Sequence, residues 1–412
     1  MLKSDIINKK FKKSRTYVLN KIGKYYIIYN KVKGENMSTE DNRSLKVIDL
    51  FCGCGGLSHG FLDAGYNVVI GVDHDEAALK TYSENHKDSI ALKADLFKDE
   101  AIDEIKEKYI DKTGSEEVDL IIGGPPCQGF SLTGSRDIND TRNTLYLAVV
   151  KSVNKFKPKA FLIENVPGIA TLYGGKVKEQ IINTFEDMGY MVSVTDKPLI
   201  AADYGVPQIR KRMFFVGIRE DIAEIIGKEF TFPQPTHIPI NHVTCKEALS
   251  DLQSREDELG AEIDEYINEP NSEYQRMMRK NSFKLYNHVA TKHTELVKNT
   301  IALVPDGGNH KDLPEGVGGS RKFNEAWTRY ASNKPSRTID TGHRNHFHYK
   351  YNRVPTIREN ARLQSFPDDF IFLGTKTQQN RQVGNAVPPL LAYNIAKELK
   401  TYLEKGDNND KK

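Results

Sequence analysis

The strongest constraint on this chain is a rhythm in its first half. Between Leu45 and Ile218, short apolar runs alternate with amphipathic ones. The runs KVIDLF (46–51), NVVIGVD (67–73), VDLIIGG (118–124), AFLIENV (160–166) and RMFFVGI (212–218) have strand length and end in turn residues or charges. Between them, Leu57–Ala64, Glu76–Asn85, Leu145–Phe156 and Val177–Met188 carry apolar residues at helical spacing. Strands alternating with helices in this way bury a mainly parallel sheet between helix layers, so the fold class is α/β.

The rhythm stops at a proline-rich connector, FTFPQPTHIP (230–239), and does not return across residues 236–340. Helices are expected again at Ile357–Gln364 and Pro389–Glu404. The reading is a basic leader (1–42), a catalytic and cofactor-binding domain (43–235), a second, irregular domain (236–375) and a C-terminal segment returning to the first (376–412). No run of about 18 apolar residues is present, so no membrane span is expected, and a cytoplasmic location is. Four cysteines in 412 residues make no disulfide framework. Cys52 and Cys54 lack the partner pair of a metal site, so no metal is expected. The net charge of +3 is small, but its distribution is uneven. Residues 246–269 are acidic, whereas 321–353 hold eight Lys/Arg against Glu325 and Asp340.

Four motifs carry chemistry. In DLFCGCGGLSHGF (49–61), Gly53, Gly55 and Gly56 let the backbone turn tightly against a ligand after a strand. Asp73 ends the next strand and can accept hydrogen bonds from a ribose diol. Ser58 stands where a nicotinamide fingerprint needs glycine, and no Gly-Lys-Ser/Thr follows, so a nucleoside without polyphosphate fits better. Asp95 follows a third strand-like segment and could accept an exocyclic amine. In GGPPCQGFS (123–131), two prolines hold Cys127 rigidly after a strand, where a buried structural thiol is the poorer reading. A free thiol is only a few per cent thiolate at neutral pH, so a nucleophilic role needs a helix terminus or cation nearby. Glu164 and Asn165 end the strand of FLIENVPG, where a carboxylate must be paired, solvated or shifted. In QIRKRMFFVG (208–217), Gln208, Arg210 and Arg212 alternate and so share one strand face.

Taken together and in this order, these motifs resemble the bacterial cytosine carbon-5 DNA methyltransferases over about Leu45–Leu399. RNTLY (142–146), RENARLQSFPDDF (358–370) and QVGNAVPPLLA (382–392) are similar to further motifs of that family. The resemblance implies an S-adenosylmethionine-dependent, Rossmann-like large domain with a smaller target-recognition domain. It also implies that S-adenosyl-L-methionine is the methyl donor and S-adenosyl-L-homocysteine the product. Cys127 would attack carbon 6 of a flipped-out cytosine. Glu164 would hold the ring amino group and nitrogen 3, and Arg212, with Arg210 as a second candidate, would brace the ring carbonyl. Phe51, Gly53, Gly55, Gly56, Leu57, Asp73, His74, Asp95, Leu96, Pro126, Leu145, Asn385 and Val387 would form the cofactor pocket. Gln128, Ser131, Arg136, Arg321, Arg329, Arg337 and Arg344 are the expected DNA contacts, with the basic stretch lining a cleft and the acidic run facing away. The implied partners are double-stranded DNA and, in function, a cognate restriction endonuclease, with the enzyme acting as a monomer. A transfer-RNA cytosine methyltransferase shares the catalytic motifs. The Cys-Phe-Thr element usual in those enzymes is absent at Cys245-Lys246. A nicotinamide oxidoreductase would leave Cys127 unexplained.

Overall fold

The computed structural model describes residues 44–125, 145–317, 327–342 and 345–409. The first half runs β1 (Lys46–Leu50), α1 (Gly56–Asp63), β2 (Asn67–Asp73), α2 (Glu76–Asn85), β3 (Ile90–Lys93), α3 (Asp99–Thr113), β4 (Leu120–Gly123), α4 (Leu145–Phe156) and β5 (Ala160–Asn165). It continues with α5 (Lys176–Glu186), β6 (Tyr190–Val194), β7 (Leu199–Ile200), β8 (Gln208–Ile209), β9 (Lys211–Arg219) and α6 (Glu220–Ile226).

The sheet order is β3-β2-β1-β4-β5-β9-β6. Pairing is parallel from β3 through β5, as the alternation predicts. It turns antiparallel at β5–β9 and β9–β6. No long helix separates β6 from β9, and without a crossover the chain can only return antiparallel. The strands read as unbroken apolar runs because both sheet faces are covered. Val47, Leu120, Leu162 and Val216 pack in one core, while Ile48, Ile121, Phe161 and Phe215 pack in the other. The α3 helix was not legible in the apolar rhythm. Its buried residues Ala101, Ile102, Ile105 and Tyr109 are diluted by charged neighbours.

Beyond the connector the elements are short: α7 (Cys245–Leu249), β10 (Ile263–Asp264), α8 (Glu273–Met278), β11 (Leu285–Tyr286), α9 (Glu295–Ala302), β12 (Thr328–Arg329), β13 (Ser336–Arg337) and β14 (His346–Phe347). The chain then forms α10 (Ile357–Leu363), α11 (Lys376–Asn385) and α12 (Pro389–Asn409). No described helix is long and apolar enough to cross a membrane. The α12 helix returns to the first half, where its Ala396 carbonyl accepts from Tyr66 Oη at 3.1 Å.

Polar side chains organise what periodic apolar packing does not. Every residue of α10 is buried, and Thr356 with Glu359 forms a capping box at its start. Arg358 donates to the carbonyls of Tyr286, Pro367 and Phe370. Arg362 is fully buried and pairs with Asp251 and with Asp368, its Nη2 lying 2.6 Å from Asp368 Oδ2. Arg353 pairs with Glu359 at 2.6 Å.

Arg362→Ala leaves two buried carboxylates without their shared cation. Breaking a buried pair in this way typically costs about 3–5 kcal/mol. Urea denaturation should therefore give a loss of that order, and a loss near zero would show that the network does not hold this region together.

Candidate functional site

Parallel pairing aligns the carboxyl ends of β1, β2, β4 and β5 along one edge of the sheet. The order reverses at β1, which has β2 on one side and β4 on the other. Ligands of such sheets bind in the crevice at that reversal. Here it is a cavity of about 670 Å³, walled by the β1–α1 loop, the ends of β2, β4 and β5, the 338–341 segment and the end of α11.

The glycine loop is shaped by backbone geometry. Phe51 has φ 58° and Gly53 φ 54°, both left-handed, and the Cys52 amide donates to Val72 O at 3.0 Å. A non-glycine residue in that region is strained, and such strain gathers at ligand sites. A Cβ placed on Gly56 would lie 2.5 Å from Val387 O, so the loop and the C-terminal segment approach closely only because Gly56 is bare. Asp73 caps the loop from β2. Its Oδ2 accepts from the Gly53 amide at 2.8 Å and its Oδ1 from the Asp75 amide at 2.8 Å. Oδ2 keeps a further lone pair for a ligand hydroxyl, while Oδ1 also lies 3.3 Å from Nδ1 of the exposed His74.

At the far end of the cavity Glu164 is ion-paired with Arg212, Nε to Oε1, and both side chains are largely buried. A Cβ on Gly124 would stand 3.1 Å from Glu164 Oε2, so a bare backbone gives this carboxylate its room. Arg210 differs from its neighbour. Burial pushes its guanidinium well below the usual arginine range. Its Nη2 donates to Gly384 O at 2.8 Å and its Nη1 to Ile339 O at 3.4 Å. Arg210 thus braces two walls of the cavity, whereas the sequence made it a second candidate for the ring carbonyl. Gln208 ties the 338–341 wall to the end of α10, accepting from Ile339 N at 3.0 Å and donating to Leu363 O at 3.2 Å.

Of the expected cofactor residues, the cavity brings together Phe51, Gly53, Gly56, Leu57, Asp73, His74, Asn385 and Val387. Gly55 lies behind the loop, where a Cβ would strike His86. Asp95 and Leu96 are not among the lining residues, and the exposed Asp95 accepts from the Phe97 amide at 3.2 Å. Pro126, Cys127, Gln128, Ser131, Arg136, Arg321 and Arg344 lie outside the described residues, as does the Leu145 side chain. Sequence reading missed Asp49, Asp75 and Arg381 as wall residues. Asp49 had a signal: it is an acid inside an otherwise apolar strand.

Two expected features of the basic stretch are corrected. Arg329 is buried, and its guanidinium donates to the carbonyls of Ile301, Val304, His348 and Tyr351 and to Asn352 Oδ1. It is a structural residue, because a DNA contact would have to abandon all of these. The acidic run does not stand apart from the basic one. Glu256 accepts from the Asn352 amide at 2.9 Å, and Arg353 Nε donates to Ser254 O at 2.7 Å. Arg337, by contrast, is exposed beside the exposed Thr338 of the cavity wall.

Comparison with known proteins gives a consistent picture. Residues 45–401 match the family model for C-5 cytosine-specific DNA methylases. The chain is 38% identical to the type II methyltransferase M.DdeI of Desulfomicrobium norvegicum, covering 87% of this chain and 89% of that protein. It is also 38% identical to M1.HphI of Haemophilus parahaemolyticus, over 86% and 87% of the two chains. A solved structure described as a DNA modification methyltransferase encoded within a prophage (E. coli) aligns with TM-score 0.69 and 30% identity. That alignment covers 88% of this chain and all of the other.

Gly56→Ala tests the cavity. The added methyl must push Val387 away, and forcing a methyl into a packed site costs about 1–3 kcal/mol. Because Val387 lines the cavity, its displacement should also weaken S-adenosylhomocysteine binding in calorimetry, and unchanged affinity would mean that the ligand does not sit between these segments.

Proposed function

The chain belongs to the C-5 cytosine-specific DNA methylases and is a DNA cytosine methyltransferase, and from that premise we propose which residues carry the reaction. The observation that carries the assignment is the Glu164–Arg212 pair, buried in the same cavity as the glycine loop and Asp73.

S-adenosylmethionine fits the loop end of this cavity. A carboxylate with a spare lone pair suits a ribose, Phe51, Leu57 and Val387 offer apolar surface to an adenine, and among the described lining residues no lysine stands ready for a polyphosphate. When bound, it supplies an electrophilic methyl group.

Cytosine carbon 5 is a poor nucleophile until a thiolate adds to carbon 6. Cys127 forms that sulfur–carbon bond. The electron pair displaced from the 5,6 double bond makes carbon 5 enamine-like, and a proton held at nitrogen 3 by Glu164 drains charge from the ring. Arg212 orients Glu164 and faces the ring carbonyl. After methylation carbon 5 loses its proton, the double bond re-forms and the thiolate leaves. Reaching the base requires flipping it from the duplex, at a cost of a few kcal/mol.

Residues 236–375 would recognise the target sequence and 376–412 would close the cofactor pocket. The relatives are type II methyltransferases, so protection of DNA against a cognate endonuclease is the fitting cellular role. We place the enzyme in the cytoplasm, acting as a monomer on double-stranded DNA.

Cys127→Ser should abolish methyl transfer while S-adenosylhomocysteine still binds, because the thiol is used only in the covalent step. Tritium transfer from labelled donor to duplex DNA measures this, and substantial remaining activity would exclude Cys127 as the nucleophile. The second test separates the arginines. Arg337→Ala should lower the slope of log affinity against log salt by about one unit, as loss of one phosphate contact does. Arg329→Ala should instead lower the melting temperature. If Arg337→Ala leaves slope and affinity unchanged, this residue does not touch the backbone.

A further inference from the structure

Asp49 sits in the wall of the cofactor cavity, completely buried within β1. Its Oδ2 accepts from Ser58 Oγ at 2.6 Å, while its Oδ1 is enclosed and has no hydrogen-bond partner. An enclosed, unpartnered carboxylate oxygen is costly, and each such atom calls for an explanation. The titratable groups that face Asp49 offer it no cation among the described residues. They are the Asp73 carboxylate at the end of β2, the Cys52 and Cys54 thiols of the loop, and the Tyr82 hydroxyl of α2. Burial raises both thiols and the tyrosine, Cys54 to about 12, so all three stay neutral. Burial, reinforced by the negative charge of Asp73 and partly offset by the Ser58 hydrogen bond, raises Asp49 itself to about 7.

The carboxyl also has a route outward. Ser58 Oγ lies 3.1 Å from Tyr82 Oη, which lies 2.9 Å from Ser89 Oγ. Ser89 is half-buried at the entry to β3. Three hydroxyls therefore connect a buried carboxyl of the cofactor cavity to the protein surface, and each can accept one proton while passing on another.

We propose that Asp49 senses the charge of the bound ligand: it releases a proton through Ser58, Tyr82 and Ser89 when a sulfonium cation occupies the cavity, and takes one up when the neutral thioether product does. The proposal rests on the reading of this cavity as the S-adenosylmethionine site. The physical cause is the missing counter-charge. A sulfonium brings a cation to a carboxyl that no cation faces among the described residues, favouring the ionised form, whereas the thioether brings none. Methyl transfer removes the positive charge from the ligand, so Asp49 would make the site tell substrate from product.

Calorimetric titration of the wild-type protein with S-adenosylmethionine and with S-adenosylhomocysteine, in buffers of different ionisation enthalpy, counts the protons released. Near neutral pH a carboxyl that burial keeps partly protonated should release a fraction of a proton with the sulfonium and none with the thioether. The preference for the sulfonium over the thioether should rise several-fold from pH 6 to pH 8, because only the ionised form of Asp49 favours the cation. D49N should lose this difference, and comparison with it removes the contribution of the ligands' own amino groups. S58A, which removes the hydrogen bond that lowers Asp49, should move the midpoint of the preference to higher pH. Equal proton release for both ligands in the wild type, or an undiminished difference in D49N, would overturn the proposal. Failure of both ligands to bind would instead overturn the cofactor reading, and this proposal with it.

Discussion

Parallel pairing of β1 with both β2 and β4 is the constraint on which the site depends. It directs the carboxyl ends of those strands, and of β5, to one edge. Four segments far apart in sequence then end around a single cavity, bringing Phe51, Asp73, Gly124 and Glu164 to its walls. Helix layers on both faces hold the pairing rigid, and the residues after each strand are free to be chosen for chemistry rather than packing. The proposed base-binding carboxylate and the proposed ribose-binding carboxylate are therefore set by the same sheet.

The cavity is completed by segments that do not belong to the sheet's first half. Arg210 and Gln208 hold the 338–341 segment and the end of α11 against the β8–β9 junction through backbone carbonyls and amides. The short parallel pairing of β13 with β8 adds to this. Polar side chains add direction to an apolar core in this region that includes Leu249, Tyr274, Phe366 and Phe370, because short elements alone fix few relative orientations. A buried guanidinium with several carbonyl partners fixes several segments at once; Arg329 and Arg358 repeat the device elsewhere, and Arg362 does so with two carboxylates and one carbonyl. Such groups are costly to bury and costlier to leave half-satisfied, so they specify one arrangement.

Charge in this protein therefore has two separate uses that composition cannot tell apart. Arg329 and Arg353, within the basic stretch, are internal, while Lys334, Arg337 and Lys350 of the same stretch are exposed. The acidic run likewise supplies partners to buried arginines: Asp251 takes Arg362, and Asp264 with the exposed Glu258 takes Arg255. Only the exposed remainder is available to a phosphate backbone.

The sequence by itself determined the α/β class, the position of six of the eight sheet strands, with β6 and β7 missed, and the family of the enzyme. Hydrophobic periodicity is a local property, and the glycine, proline-cysteine and Gln-Val-Gly-Asn motifs are local words. It also placed Asp73 and Glu164 at strand ends, where burial on both faces leaves an acid only a functional or paired existence. Tertiary structure alone decided the antiparallel edge at β9, the partner of each arginine, and the difference between Arg210 and Arg212. Two residues apart, one at the β8–β9 junction and the other at the start of β9, these arginines look equivalent in sequence. One meets carbonyls from residues 339 and 384 and the other meets Glu164. Which long-range neighbour reaches a side chain depends on packing between segments 48 to 174 residues apart, and no local pattern encodes it.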